Sequence, residues 1–284
     1  MTPNQIHPTV ILGKNVSIGL GNVIGPSVII EDGVKIGNEN TIMTGAFIAK
    51  GTEIGHGNKI HMHAVIGHEP QDLAYKNEPT FTKIGDNNVI REFVTIHRGT
   101  KAGTYTQIGN NNYIMAYCHI AHNCNVGHHI IMVNQASLTG HIEVEDRAFL
   151  SGMTGFHQFT RIGKLAMVSA LSACNKDIPP FMICGGRPGV ALGINVVGLR
   201  RAGISAAVRE EIKKSYKLLY RSGLNTSQAV EEIKKQFSSP EVQHLVRFIE
   251  SSKRGIIDGA SGDEETLKGR KNAAASLDSS EDED

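Results

Sequence analysis

A six-residue repeat runs through most of this 284-residue chain and restricts the folds that the chain can adopt. Counted from Ile6, the sequence divides into IHPTVI, LGKNVS, IGLGNV, IGPSVI and six further hexapeptides, and each of them opens with an aliphatic residue. The phase breaks at residues 68–83, resumes at Ile84, breaks again after Ile96 and continues from Ile108. A period of six matches neither the α-helix, with about 3.6 residues per turn, nor the alternation of an ordinary strand.

The repeat predicts a parallel β-helix, in which each hexapeptide supplies one short strand and one bend, and three hexapeptides form a triangular coil of 18 residues. Position 1 of each hexapeptide points inward and stacks on position 1 of the next coil. Position 5 also points inward and is small or Asn, as in Val10, Asn22 and Asn58. We interpret the asparagines as residues that tolerate left-handed backbone geometry at a tight corner. Hexapeptides of this type resemble those of the left-handed parallel β-helix family, an exception to right-handed crossovers.

The hexapeptide pattern gives way to helical spacing after residue 198. Ser205 is placed to cap the segment AAVREEIKKSYKLLYRS, which has apolar residues at helical intervals, and two further helices are predicted in TSQAVEEIKKQF and SPEVQHLVRFIESS. We therefore predict a mainly β chain with a β-helix over residues 1–198, interrupted by an insertion loop at 68–83, and a small helical domain over 199–257.

The end of the chain differs in composition from the rest. Residues 258–284 carry nine acidic and three basic residues, so they predict an acidic disordered tail. Since the whole chain has a net charge of +1, the remainder carries about +7, which hints at an acidic or phosphorylated partner.

Composition also bears on the cell compartment. The four cysteines form no CxxC pair, which favours a reducing, cytoplasmic environment over a disulfide framework. The N-terminus has no basic and apolar signal segment, and no apolar run reaches 18 residues. Secretion and membrane insertion are therefore not expected, and nucleic acid is not expected as a partner.

Residues 114–130 hold four histidines and two cysteines, and the hexapeptide frame predicts which way each side chain points. Cys118 and Cys124 fall at the inward position 5 and are interpreted as small core residues, not as zinc ligands. The histidines fall at outward positions, so none is expected to be an ordinary core histidine. His128 and His129 are expected to be simple surface residues.

The 18-residue coil brings polar residues together on one external strip. His122, Gly140 and Gln158 share one column, and His141 lies in the column beside it. An imidazole base beside an exposed backbone N–H is what acyl transfer requires, because the base accepts a proton from a hydroxyl and the N–H stabilises the oxyanion.

Around these residues the chain resembles a known family, the acyl-carrier-protein-dependent UDP-N-acetylglucosamine O-acyltransferases, which begin lipid A synthesis. The resemblance extends from about Ile6 to Ile257. It rests on the motifs QDLAYKNEPT (71–80), VTIHRGT (94–100), HIAHNCNVG (119–127), LTGHIEVED (138–146), GFHQFTRIG (155–163), DIPPFMICGG (177–186), GINVVGLRRAGIS (193–205) and YKLLYRSG (216–223).

The resemblance implies transfer of a 3-hydroxyacyl chain from acyl carrier protein to the 3-position of UDP-N-acetylglucosamine. It implies that His122 is the general base, that Gly140 supplies the oxyanion N–H, and that Asn123 orients the base. It further implies a homotrimer with active sites between subunits, and no metal or redox cofactor. The implied substrate-binding residues are Gln71, Asp72, His119, His141, His157, Gln158, Asn195, Arg200 and Arg201, and the implied acyl-chain groove contains Met167 and Ala170.

Three positions depart from the family pattern. Asn123 stands where the family often has Asp after the catalytic His, so it can orient the imidazole but adds no negative charge. Ala74 replaces the common Lys of a DLKY motif, and GGRPG at 185–189 replaces GNHA, which introduces Arg187.

Two other functions stay open at this stage. The first is the related N-acyltransferase of the same pathway, which usually carries an additional N-terminal domain, whereas the repeat here begins at Ile6. The second is a β-helix protein like the γ-carbonic anhydrases, which would require three or four zinc ligands.

Overall fold

The computed structural model describes residues 2–260, and these residues form two compact units that divide between Arg147 and Ala148. Most of the predicted acidic tail, from residue 261 onward, lies outside the described residues. No helix within the described range is long and apolar enough to cross a membrane.

The first unit is built from very short strands separated by bends of similar length. In chain order they are β1 (Gln5–Ile6), β2 (Ile11–Leu12), β3 (Ser17–Ile18), β4 (Val23–Ile24), β5 (Ile29–Ile30), β6 (Lys35–Ile36), β7 (Thr41–Ile42), β8 (Phe47–Ile48), β9 (Thr52–Ile54), β10 (Lys59–Ile60), β11 (Val65–His68), β12 (Phe81–Ile84), β13 (Val89–Ile90), β14 (Thr95–His97), β15 (Tyr105–Ile108), β16 (Tyr113–Ile114), β17 (His119–Ile120), β18 (Asn125–Val126), β19 (Ile131–Met132), β20 (Ser137–Leu138) and β21 (Glu143–Val144).

Every third strand of this unit pairs in parallel, which gives three sheets: β1 with β4, β2 with β5, β3 with β6, and so on through the unit. Gln5 pairs with Val23 and Ile6 with Ile24, so the register advances by the 18 residues of one coil. The left-handed parallel β-helix predicted from the repeat is confirmed.

The isoleucines at position 1 form the core, as predicted. Ile24, Ile42, Ile60 and Ile90 are almost fully buried, each stacked against the equivalent residue of the next coil. In the first coil the equivalent Ile6 is 40% exposed, because only one neighbouring coil covers it.

The asparagines at position 5 have a different role from the one predicted. Residues with left-handed φ lie at position 4 instead, for example Asn87 (φ 56°) and Asn123 (φ 60°). The position 5 asparagines are buried and form a ladder: Asn40 Nδ2 donates to Asn22 Oδ1 (3.0 Å), and Asn58 Nδ2 donates to Asn40 Oδ1 (3.0 Å). The prediction was wrong because an amide group can satisfy the buried backbone of neighbouring coils as well as tolerate an unusual φ.

A second ladder runs along the outside of the same corner, at position 3. The Asn110 N–H donates to His128 Nδ1 (2.9 Å), and the His128 N–H donates to Asp146 Oδ1 (2.9 Å). His128 and His129 are exposed, as expected, but His128 also stabilises the corner.

Two longer connections interrupt the first unit. Loop L1 (residues 69–80) joins β11 to β12, and loop L2 (residues 98–104) joins β14 to β15. L1 is shorter than the predicted insertion at 68–83, because β11 and β12 extend into that range.

The second unit begins with the same kind of strand and ends in helices. Its elements are β22 (Phe149–Leu150), β23 (Gly155–Phe156), β24 (Arg161–Ile162), β25 (Met167–Val168), β26 (Ala173–Cys174), β27 (Met182–Gly185), β28 (Val190–Ile194), α1 (Val196–Arg201), α2 (Ala206–Arg221), α3 (Thr226–Gln236) and α4 (Pro240–Glu250). Strand β25 pairs in parallel with β27, and β27 pairs with β28 in the antiparallel direction.

The three helices predicted after residue 198 are confirmed. Ser205 caps α2 by accepting a hydrogen bond from the Val208 N–H (3.3 Å), and Asn225 and Gln228 form a capping box at α3. The first residues of the predicted tail, 258–260, pair with Ala191 of β28 through backbone hydrogen bonds.

The asparagine ladder predicts a large loss of stability on substitution of Asn58 by Ala. Asn58 Oδ1 accepts from the Asn88 N–H (2.9 Å), and Asn58 Nδ2 donates to the carbonyls of Asn40's side chain (3.0 Å) and Gly85's backbone (2.9 Å). Removing these groups leaves buried donors and acceptors unpaired, so we expect the free energy of unfolding to fall by about 2–4 kcal/mol. Urea denaturation at fixed protein concentration measures this. Asn125→Ala, on the exposed face of β18, should change stability by less than about 0.5 kcal/mol, and equal effects for the two variants would contradict the ladder's importance.

Candidate active site

Both long loops and the central histidine of the sequence analysis lie at one corner of the first unit. L1 follows β11, L2 begins after β14, His122 follows β17, and Gly140 follows β20. These four strands pair consecutively in one sheet, so the segments that follow them lie on four successive coils. A corner can hold an insertion without disturbing the ladder of strands on either side, which explains why the loops and the polar residues collect there.

His122 is nearly buried at this corner, with only 4% of its surface exposed. Its Nδ1 lies 3.0 Å from Asn123 Oδ1. The same oxygen accepts hydrogen bonds from the Thr100 N–H (3.2 Å) and the Thr100 hydroxyl (3.0 Å). Because a backbone N–H can only donate, the side-chain atom of Asn123 that faces Thr100 and His122 is the oxygen. His122 Nδ1 therefore carries the proton, and Nε2 has a free lone pair.

The free Nε2 of His122 faces loop L1. Asp72 Oδ2 lies 3.7 Å from it, and the other carboxylate oxygen of Asp72 accepts a hydrogen bond from the Ala74 N–H (2.9 Å). A negative charge therefore lies close to the atom on which positive charge appears when the imidazole is protonated. The sequence analysis placed Asp72 on the loop but did not foresee this contact with the base.

Gly140 lies directly under the His122 ring. A Cβ at position 140 would lie 2.3 Å from His122 Cε1 and 2.6 Å from Nε2, far inside normal contact distance. Among residues 2–260, the Gly140 N–H has no hydrogen-bond acceptor. Glycine at this position thus lets the imidazole approach the backbone and leaves an N–H available beside it.

His141 stands against His122 edge to face, with ring centroids 5.3 Å apart. Burial lowers the pKa of His141, and the neighbouring His122 lowers it further. The ring is therefore mainly neutral at neutral pH, which suits a hydrogen-bonding group for an uncharged sugar better than a second cation.

Two more histidines stand on the preceding coils. His119 Nδ1 is hydrogen bonded to Thr95 Oγ1 (2.8 Å), and burial lowers its pKa, with a further contribution from His122. His97 Nδ1 donates to the Glu69 carbonyl of L1 (2.5 Å), and burial lowers its pKa to about 4. His97 was not predicted, although it belongs to the motif VTIHRGT, because its role depends on where L1 folds.

The two cysteines of the histidine-rich segment are core residues, as predicted. Cys118 Sγ donates to the Val133 carbonyl (3.2 Å) and Cys124 Sγ to the Thr139 carbonyl (3.1 Å). Burial raises the pKa of both thiols to about 12. Neither thiol is therefore available as a nucleophile or a metal ligand. Within residues 2–260, no three His, Cys, Asp or Glu side chains are grouped so that they could hold a metal ion.

The other predicted site residues belong to the second unit. His157 and Gln158 are exposed in the bend after β23, and His157 Nδ1 donates to the Gln158 carbonyl (3.1 Å). Met167 lies in β25 and Ala170 in the bend that follows, both half-buried.

Asn195 has a structural role in this unit. Its side-chain oxygen accepts from the Gly198 N–H (2.9 Å) and caps α1, and its Nδ2 donates to the Leu165 carbonyl (2.9 Å). Arg200 and Arg201 are exposed in the last turn of the same helix.

Two arginines of the second unit make contacts within the chain. The Arg161 guanidinium lies 4.0 Å above the Phe248 ring and donates to the Ser251 hydroxyl (3.1 Å). Arg187 Nε donates to the Leu171 carbonyl (2.5 Å), so this departure from the family pattern lies next to the bend that contains Ala170.

Comparisons with known proteins agree with this geometry. Residues 177–257 match the family described as UDP N-acetylglucosamine O-acyltransferase, domain 2. The acyl-[acyl-carrier-protein]–UDP-N-acetylglucosamine O-acyltransferase of Gloeothece citriformis is 44% identical over 201 residues, which cover 69% of this chain and 73% of that protein. That of Alkalilimnicola ehrlichii is 44% identical over 196 residues, covering 68% and 76%.

Solved structures extend the likeness to the whole described fold. The UDP-N-acetylglucosamine acyltransferase of Francisella novicida superposes with a TM-score of 0.87 at 36% identity, over 90% of this chain and 95% of that one. The corresponding enzyme of Bacteroides fragilis superposes with a TM-score of 0.77 at 42% identity, over 90% and 99%.

The β-helix and its histidine corner thus define an acyltransferase of the hexapeptide-repeat class. Within that class, the identities over more than two thirds of the chain are decisive. The chain belongs to the UDP-N-acetylglucosamine O-acyltransferase family.

The contact between Gly140 and His122 predicts the result of adding one methyl group. In Gly140→Ala the His122 ring must move by more than about 1 Å, because carbon atoms at 2.3 Å must separate to about 3.5 Å. A crystal structure of the variant measures the shift and the Nδ1 to Asn123 distance. Gly155→Ala is the control, since a Cβ there meets no atom within 4 Å. An unmoved His122 ring in Gly140→Ala would show that the corner is less tightly packed than described.

Proposed function

We propose that this protein transfers a 3-hydroxyacyl group from acyl carrier protein to the 3-hydroxyl of UDP-N-acetylglucosamine, the first step of lipid A synthesis, with His122 as the general base. Relatives that are 44% identical are named as acyl-carrier-protein-dependent UDP-N-acetylglucosamine O-acyltransferases, which supports the substrate class. The observation that carries the mechanism is the hydrogen bond from His122 Nδ1 to Asn123, because it leaves Nε2 unprotonated and able to accept a proton.

The reaction needs one proton acceptor and one oxyanion donor. His122 Nε2 accepts the proton of the sugar hydroxyl as its oxygen attacks the thioester carbonyl carbon. The carbonyl oxygen becomes an oxyanion, for which the Gly140 N–H is the donor at hand. The tetrahedral intermediate then collapses, the C–S bond breaks, and the His122 imidazolium gives its proton to the departing thiolate of the carrier.

Asp72 compensates for the missing charge at Asn123. A carboxylate at position 123 would stabilise imidazolium through Nδ1, whereas Asn123 offers only a carbonyl dipole. Asp72 Oδ2 lies 3.7 Å from Nε2, on the other side of the ring. Opposite charges about 4 Å apart attract by roughly 1 kcal/mol in water and about 4 kcal/mol at an effective dielectric constant near 20. Loop L1 therefore contributes electrostatic support from the side on which the sugar enters.

Direct attack by the sugar hydroxyl fits the corner better than a covalent acyl-enzyme. A covalent route would need an activated Ser or Cys beside His122. The nearby Cys118 and Cys124 point into the core, and burial raises the pKa of both thiols.

The binding roles expected in the second unit complete the proposal. His157 and Gln158 would contact the sugar, and Arg200 and Arg201 would bind the diphosphate, for which paired guanidinium groups are well suited. Asn195 would act partly by shaping α1, since its amide caps that helix. Met167 and Ala170 would line the acyl groove. A homotrimer with sites between subunits and a cytoplasmic location remain predictions from the family resemblance.

Replacing His122 by Ala tests the proposed base. We expect transfer from 3-hydroxyacyl carrier protein to UDP-N-acetylglucosamine to slow by about 10²–10⁴-fold, because the hydroxyl loses its proton acceptor. Product formation is followed by chromatography of the acylated nucleotide sugar, with a panel of chain lengths.

The control for this test is His129→Asn. His129 is exposed and has φ 57°, a backbone geometry that Asn111 also adopts (φ 59°), so the substitution should leave the rate unchanged. A near-normal rate in His122→Ala would reject His122 as the base, and no product from the unmodified protein with any chain length would reject the proposed substrates.

A further inference from the structure

A buried cation stands at the start of loop L2, and the mechanism above does not use it. Arg98 is 3% exposed, although its guanidinium cannot lose its charge at any ordinary pH. A charge that is removed from water is stable only where hydrogen bonds and opposite charge replace the lost hydration. The partners of Arg98 therefore indicate what it is positioned to do.

Every one of its hydrogen bonds goes to loop L1 or to the strand that leads into it. Arg98 donates to the Tyr75 hydroxyl from Nη2 (3.0 Å) and Nε (3.3 Å), to Glu69 Oε1 from Nη2 (3.3 Å), and to the Gly67 carbonyl from Nη1 (3.4 Å). The guanidinium also lies 5.7 Å from the centre of the Tyr75 ring. The Tyr75 hydroxyl in turn donates to the Glu78 carbonyl (3.0 Å).

Tyr75 and Asp72 belong to the same turn. The Tyr75 N–H donates to the Asp72 carbonyl (3.1 Å), and the Ala74 N–H donates to Asp72 Oδ1 (2.9 Å). Fixing the Tyr75 side chain therefore fixes the turn that presents Asp72 to His122 Nε2. Asp72 itself is partly exposed and makes few other contacts, so its position depends on this turn.

We propose that Arg98 and Tyr75 are positioning residues of the acyltransferase: the buried guanidinium holds the Tyr75 hydroxyl and thereby places the Asp72 carboxylate against His122. This inference rests on the proposed function, because Asp72 matters only if the sugar hydroxyl reacts at His122. It assigns to the loop a fixed position in the protein without substrate, so the acceptor site is largely formed before the sugar arrives.

Tyr75→Phe tests the proposal with the smallest change, since it removes one hydroxyl and keeps the ring. Arg98→Lys is a second variant, which keeps the charge but cannot donate to Tyr75, Glu69 and Gly67 together. The chain supplies a matched control in a second Arg–Glu–Tyr group. Arg91 donates from Nη1 to the Tyr113 hydroxyl (2.9 Å) and from Nε to Glu92 (2.9 Å), away from L1, so Tyr113→Phe removes the same type of hydrogen bond.

Two measurements do not require catalysis. Trypsin cleavage after Lys76, which is exposed on L1, reports the opening of the loop, and calorimetry reports the dissociation constant for UDP-N-acetylglucosamine. We expect Tyr75→Phe and Arg98→Lys each to accelerate this cleavage by about tenfold and to weaken binding of the nucleotide sugar by about tenfold. The melting temperature should stay within a few degrees of the unmodified protein, and Tyr113→Phe should change neither measurement.

Steady-state kinetics separate positioning from a general structural effect. The variants should raise KM for UDP-N-acetylglucosamine and lower kcat, while KM for the acyl carrier protein stays unchanged, because the donor does not depend on L1 in this proposal. Equal losses for both substrates would indicate general damage and overturn it.

The proposal and the proposed function fail in different ways. Unmodified protein that binds UDP-N-acetylglucosamine but transfers nothing would reject the function, while cleavage and binding would still decide the role of Arg98 and Tyr75. If the unmodified protein is active and the variants match it in cleavage, binding and KM, the positioning role is overturned and the function stands. Faster cleavage with unchanged binding would also overturn the proposal, because the loop would then be anchored without serving the site.

Discussion

The 18-residue register between stacked coils is the constraint on which the rest of this structure depends. Because each coil repeats the one before it, residues 18 apart become direct neighbours, and one choice of residue type extends into a column. The isoleucine core, the buried asparagine ladder and the outer ladder through His128 are all such columns. The same register places His122 above Gly140, so the fold itself brings a base and a backbone N–H together without a dedicated active-site loop.

The corner that carries the site differs from the other corners by its insertions. Loop L1 places a carboxylate against the base nitrogen, and L2 supplies Thr100, whose N–H identifies the Asn123 oxygen as the atom that faces His122. The β-helix thus sets the position of the imidazole, and the loops set its protonation and its charge environment. Neutral His97 and His141 around the base leave Asp72 as the charged neighbour of His122 that the structure shows at contact distance.

Periodicity predicted the features that depend on it. The repeat was sufficient for the parallel β-helix, for the inward direction of Cys118 and Cys124, and for the column of His122 and Gly140. The left-handed sense and the site roles came from the family resemblance. Periodicity was misleading for the asparagines at position 5, because it says that a side chain points inward but not which hydrogen bonds await it. It was silent on His97, Arg98 and Tyr75, whose roles depend on how L1 folds back over the corner.

The central claim is that His122 Nε2, with its lone pair fixed by Asn123, is the atom that accepts the sugar proton. A crystal structure of the protein with UDP-N-acetylglucosamine bound tests it most directly. The account predicts that the sugar 3-oxygen lies about 2.6–3.2 Å from Nε2, with Nδ1 still on Asn123. A 3-oxygen that lies more than about 4 Å from Nε2 and is hydrogen bonded instead to His141 or Asp72 would contradict it.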